Sequence, residues 1–197
     1  MHLREDRRHI QDRDLFLIKE TIKTKLNLEM AATEEMLHIA KKVRPNFVTL
    51  VPEKREEVTT EGGLDINADK EYYFKFIEDL KKSSIQVSAF VDPVLSQIKS
   101  SQEVGCEIIE LHTGTYACSK YQEQKNELIR IREATFFASD QDLIVNAGHG
   151  LTFQNVEKIA AINKINELNI GHSIVSRALA VGLENSVREM KTLISKN

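Results

Sequence analysis

Six short runs rich in β-branched and other apolar residues punctuate the chain: Leu26 to Ala31, Phe47 to Val51, Ile85 to Val91, Glu107 to Thr113, Leu143 to Asn146 and Leu168 to Ile170. Each gives way to a stretch in which apolar residues return every three or four positions, the period of a helix with one buried face. Start signals stand at Asp12 ahead of Leu15, Ile18 and Ile22, and at Thr33 ahead of Met36, Leu37 and Ala40. Others are Asp92-Pro93 ahead of Leu95 and Ile98, and Thr152 ahead of Val156, Ile159 and Ala160. Pro45 and Gly105 supply stops. Strands alternating with helices predict a parallel sheet with right-handed crossovers, either open and doubly wound or closed into a barrel.

Two features favour the barrel. No Gly-x-Gly-x-x-Gly turn follows the first strand, as an open dinucleotide-binding sheet would require. Polar side chains instead collect where strands end: Glu29, Glu53-Lys54-Arg55, Asp92, Glu110 and His112, Asn146 and His149, and His172. A barrel enzyme gathers its active site from several strand ends at one mouth. A closed barrel of this kind has eight strands and typically about 250 residues, whereas this chain has 197 residues and six clear strands. His2-Leu3-Arg4 stands where a further strand would finish, ahead of the helix beginning near Asp12. The expectation is an α/β fold, a TIM (β/α)8 barrel lacking its first strand, first helix and most of its second strand, in one incomplete domain over residues 1–197. The shortfall corresponds to roughly 35 to 40 residues. Leu26 to Ala31 and Leu168 to Ile170 would then be apolar sheet edges, and the chain on its own is expected to be poorly soluble or inactive.

Composition narrows the function classes. With 41% hydrophobic and 29% charged residues, the chain reads as one soluble globular domain. A net charge of −3 with interleaved signs leaves no basic field for a nucleic acid. The charged start leads into no apolar run, and nothing approaches the roughly 18 consecutive apolar residues of a membrane span, so the cytoplasm is the expected location. Cys106 and Cys118 have no Cys-x-x-Cys spacing and no ligand cluster, so neither a metal site nor a disulfide framework is expected.

The candidate chemistry is strongest in two successive loops, Asn146-Ala147-Gly148-His149-Gly150 and Asn169-Ile170-Gly171-His172-Ser173. Loops after the last barrel strands commonly hold phosphate, because glycine admits the anion to the backbone and a helix N-terminus attracts it. Glu29, a carboxylate in an otherwise apolar strand, faces either the mouth or a salt-bridge partner, and burial would bring it toward the range of a general base. His2 and His149 are candidates for proton transfer near neutral pH, whereas His38 reads as a surface residue on a helix. The segment Glu53 to Asp65 is long and aperiodic, with hydroxyls at Thr59 and Thr60 and a hinge at Gly62-Gly63, and reads as a lid or binding loop.

Longer segments carry a specific resemblance: positions 2–10 (HLREDRRHI), 27–31 (NLEMA), 51–65 (VPEKREEVTTEGGLD), 110–114 (ELHTG), 146–152 (NAGHGLT) and 167–173 (ELNIGHS). Together they look like the signature segments of the pyridoxine 5′-phosphate synthase family, along the whole chain. The resemblance implies a (β/α)8 enzyme that condenses 3-amino-2-oxopropyl phosphate with 1-deoxy-D-xylulose 5-phosphate, releasing phosphate and water. It also implies no metal or organic cofactor, and a homo-octamer. Carried over by position, His2 and Glu29 match proton acceptors and His149 a proton donor. Arg4, His9 and Thr59 match contacts to the deoxyxylulose phosphate, and Gly150, Gly171 and His172 contacts to the aminoketone phosphate. The family's opening strand, with its Asn and Asp-His contacts and a following arginine, has no counterpart here. Two other readings remain at this point: a non-catalytic fragment that docks with intact subunits, and a different phosphate-binding barrel enzyme.

Overall fold

The computed structural model describes residues 1–53 and 62–195. Within them, six strands form one all-parallel sheet in sequence order: β1 (Asn27–Met30), β2 (Phe47–Leu50), β3 (Gln86–Val91), β4 (Ile108–His112), β5 (Ile144–Gly148) and β6 (Ile165–Asn169). Helix α1 (Asp12–Thr21) precedes them, and α2 (Glu34–Val43), α3 (Lys70–Lys81), α4 (Leu95–Glu103), α5 (Gly114–Cys118), α6 (Tyr121–Asp140), α7 (Val156–Ala160), α8 (His172–Val181) and α9 (Leu183–Ile194) lie between and after them. Neighbouring strands in the sheet are always neighbours in the chain, the order of a winding barrel rather than of a sheet that reverses at a switch point.

Each strand divides its side chains with a period of two. Leu28 and Met30, Val48 and Leu50, Val87, Ala89 and Val91, and Ile109 and Leu111 join one buried core with Met36 and Ala40 of α2, Ile77 and Leu80 of α3, and Ile98 of α4. The alternate positions face the concave side and are largely polar: Asn27 and Glu29, Thr49, Ser88, Glu110 and His112. Thr49 is tied to Asn27 by a 3.0 Å hydrogen bond. Register keeps Glu29 level with Thr49, Thr49 with Ser88, and Glu110 with Asn146. The polar side chains therefore form layers that rise toward the strand C-termini.

Outside β1, the segment Met1 to Leu3 continues the parallel pairing. The Glu29 amide donates to Met1 O at 2.8 Å, and the Leu3 amide to Glu29 O at 3.1 Å. The expected strand end at His2-Leu3-Arg4 is thus present, and the β1 edge is covered along this stretch. Leu3, fully buried, anchors it.

Element boundaries depart from the sequence reading in definite ways. The last strand begins at Ile165 rather than Leu168, because pairing with β5 extends through the polar Asn166 and Glu167, which break the apolar run. β5 runs on to Gly148. Thr33 does cap α2, whereas α1 is capped by Gln11, with Asp12 as its first residue. Val94 stands at the start of α4, which leaves Asp92 free for another partner. Thr152 opens a turn, and the helix after it begins only at Val156. Gly105 takes a φ of +95° after α4, as a helix stop does. His38 is exposed on α2. Helix α8 buries none of its residues and leaves Val175 and Leu179 open to solvent.

Leu3→Ala tests how the N-terminal segment is held. Removing this side chain should cost about 2–5 kcal/mol, the usual range for a buried leucine truncated to alanine, measured by urea unfolding. A cost near zero would mean that the segment is not anchored by burial.

Candidate active site

A cavity of about 760 Å³ opens at the C-terminal rim of the sheet. Met1, His2, Arg4 and His9 line one side and Asn169 to Ser173 the other, so the first and last parts of the chain meet across it. The sheet must be curled for this to happen. Eight of the nine residues expected from the sequence face this space: His2, Arg4, His9, Glu29, His149, Gly150, Gly171 and His172. Thr59 lies outside the described residues, as does most of the segment read as a lid.

His2 lies between two carboxylates. Its Nε2 is 2.8 Å from Glu53 Oε1, and its Nδ1 is 3.9 Å from Glu29 Oε2. Glu53 Oε2 also accepts the Glu5 amide at 3.1 Å, which clamps the N-terminal segment to the end of β2. Burial works against the charge on Glu53. The hydrogen bonds from His2 and Glu5 and the nearby Arg4 outweigh it, so the carboxyl is held below the usual glutamate value.

Glu110, on the concave face of β4, is a residue whose role the sequence reading did not single out. It is almost wholly buried and lines the cavity, and its Oε2 accepts a 2.5 Å hydrogen bond from Asn169 Nδ2. Burial first, and then the charge on Glu29, raise its pKa to about 8. It is therefore largely a neutral acid at neutral pH, able to donate a proton. The available sequence signal was the alternation along β4, which sets Glu110 on the same face as His112. That pattern marks inward-facing residues but does not measure burial. Gly148, one strand over, makes room for Glu110: a Cβ there would lie 2.2 Å from Glu110 Oε1 and 3.0 Å from Asn169 O.

His149 follows with a φ of 78°. Its loop is pinned by buried Thr113, whose hydroxyl is 2.8 Å from Gly148 O and 2.6 Å from His149 O. Burial, and then the charge His112 can carry, hold the His149 imidazole below its ordinary value, against a smaller opposing pull from Glu29. A lowered value leaves the resting ring neutral and makes its protonated form a stronger acid. Behind it, His112 Nδ1 is 2.9 Å from Asp92 Oδ1, and the two imidazole centroids are 5.0 Å apart. Gly114 permits this approach, since a Cβ there would lie 2.3 Å from His112 Nε2.

The opposite wall suits an anion. Gly171 precedes α8 with no side-chain cap, and nothing lies within 4 Å of the place its Cβ would occupy. The first amides of α8 thus have no intrahelical acceptor and lie beside the cavity. Gly150 adopts a φ of +76° against Ala117, a conformation and a contact that a larger residue would disturb. Among the described residues no group of three or more His, Cys, Asp or Glu side chains is arranged to hold a metal ion, and no helix is long and apolar enough to cross a membrane.

The Glu110 environment makes stability depend on pH. Between 4.5, its ordinary value, and about 8 the folded chain holds a proton that the unfolded chain has released, so this group's contribution falls as pH rises through that window. Thermal melting followed by circular dichroism should show a steeper loss of Tm toward alkaline pH in the native chain than in Glu110→Gln. Equal slopes would place Glu110 in a more solvated setting. Gly148→Ala should lower Tm at every pH.

Comparisons with known proteins bear on the fold and the family of the chain. The chain is 68% identical over 197 residues to pyridoxine 5′-phosphate synthase of Prochlorococcus marinus strain MIT 9312, covering 100% of this chain and 83% of that protein. It is 56% identical over 195 residues to the protein of the same name from strain MIT 9211, covering 99% of this chain and 80% of that one. Among solved structures, KGPDC from Streptococcus mutans superposes with a TM-score of 0.65 at 11% identity, over 95% of this chain and 80% of that one, a likeness of fold alone. The family model described as pyridoxal phosphate biosynthesis protein PdxJ matches residues 1–196, and the chain belongs to that family.

Proposed function

We propose that the chain acts as a pyridoxine 5′-phosphate synthase, joining 3-amino-2-oxopropyl phosphate to 1-deoxy-D-xylulose 5-phosphate with release of phosphate and water. The observation that carries this reading is the convergence of His2, Glu29, Glu110 and His149 on one cavity that also borders the uncapped start of α8. Imine formation, dehydration and ring closure need protons taken and returned at several atoms, a task for acid/base groups of different strength rather than for one nucleophile. In this reading His2 and Glu29 accept protons, His149 donates, and Glu110 supplies a buried neutral acid. Gly150, Gly171 and His172 receive the aminoketone phosphate. Arg4, His9 and Thr59 receive the deoxyxylulose phosphate, Arg4 being a buried guanidinium suited to a phosphate oxygen.

The six-stranded arc is read as part of a (β/α)8 barrel in a single domain that works as a homo-oligomer in the cytoplasm without metal or organic cofactor. Its own residues then bind the substrates, keep the reacting atoms from bulk water and move the protons.

The test is formation of pyridoxine 5′-phosphate from the two substrates by the purified chain. His149→Ala and Glu29→Gln are each expected to lower kcat by about 10²- to 10⁴-fold, the range that one positioned acid or base contributes. No product from the folded native chain would overturn the reading in favour of a non-catalytic subunit. Unchanged kcat in both variants would remove the assigned roles.

A further inference from the structure

The geometry points to Glu53 as a positioning residue that orients His2 and stabilises its protonated form, an inference that rests on the reading of His2 as a proton acceptor. The Glu53 side chain is only 5% exposed and points back into the protein, where each oxygen has a partner: Oε1 the His2 Nε2 at 2.8 Å, Oε2 the Glu5 amide at 3.1 Å. An ionised carboxylate only accepts hydrogen bonds, so neutral His2 donates its Nε2 proton to Glu53. The lone pair is then left on Nδ1, the nitrogen nearer Glu29. The 3.9 Å between Nδ1 and Glu29 Oε2 exceeds a hydrogen bond. Both groups can therefore reach a substrate proton without being consumed by each other.

When Nδ1 takes a proton from substrate, the resulting imidazolium lies against a desolvated carboxylate, where opposite charges attract more strongly than in water. When the proton is returned, Nδ1 regains its lone pair and Glu53 is unchanged, so no net charge or atom is gained. The same carboxylate, through the Glu5 amide, holds the backbone that carries His2 and Arg4, so the base and an expected phosphate contact are set by one side chain.

Among the described residues, Glu53 beyond β2 and Glu29 on β1 face His2, and Arg4 on the same segment as His2 acts on Glu53. Replacing Glu53 by glutamine removes one of two negative neighbours and keeps the side-chain shape. An opposite charge in contact favours the charged form of a titrating group. NMR titration of the labelled His2 imidazole in the whole chain should thus show its midpoint fall by about one unit or more in Glu53→Gln. Under the synthase assay, kcat should fall with KM little changed, and the acidic limb of the kcat profile should move the same way. Glu53→Asp, which keeps the charge but sets it back by one methylene, should lie between the two on both measures. An unmoved His2 midpoint in folded Glu53→Gln, or an unmoved midpoint in folded Glu53→Asp if the glutamine variant does not fold, would overturn the inference. The titration needs no turnover, so an inactive native chain would sink the functional reading while the His2 midpoint still decided the role of Glu53.

Discussion

Parallel pairing sends every strand of this sheet toward the same rim, and the site depends on that constraint. Six strands in chain order, each returning through a helix on the outside, place Glu29, Phe90, Glu110 and the loops after β5 and β6 around one opening. No single segment contains the site. It arises because backbone hydrogen bonds fix the register, so that concave positions on neighbouring strands stand level, and because the short pairing of Met1 to Leu3 with β1 brings His2 into the same layer.

Within that opening, environment rather than residue type separates the roles. Glu110 on the concave face and Glu53 beyond the end of β2 illustrate it. Glu110 is almost wholly buried with one amide partner, and its proton is held to about pH 8. Glu53 is also enclosed, but it faces an imidazole and a backbone amide, and its charge is favoured instead. The two imidazoles His2 and His149 divide in the same way. One contacts a carboxylate, whereas the other lies beside a second imidazole that is itself tied to Asp92. Groups held protonated and groups held charged can thus coexist around one cavity at one pH, as the proposed multistep condensation requires.

Glycine supplies the space these arrangements need. Gly148 and Gly114 are occupied by backbone alone so that the Glu110 carboxylate and the His112 ring can approach, and Gly171 leaves the start of α8 open to the cavity. In the sequence Gly148 and Gly171 read as parts of the two terminal phosphate loops. Their role as clearances for particular side chains depends on neighbours contributed by other strands.

The chain by itself determined the strand and helix alternation, the parallel class, the two terminal glycine loops and the family resemblance, because these rest on periodicity and on contiguous segments. His2, Arg4, Glu29 and His149 were legible as candidates for the same reason, each lying in a recognisable run, and the structure sets all four on one cavity. Where a polar stretch continued a strand, through a bulge at Asn166 and the paired Glu167, the pattern failed, since a sheet neighbour can hold residues whose own propensity is weak. Only the tertiary structure decided that Glu110 is a buried acid, that Glu53 faces His2 across 51 positions of sequence, and that Asp92 serves His112 rather than a helix end. Those properties are set by desolvation and by distances of about 3 Å between residues far apart in the chain, and neither quantity is written in any local pattern.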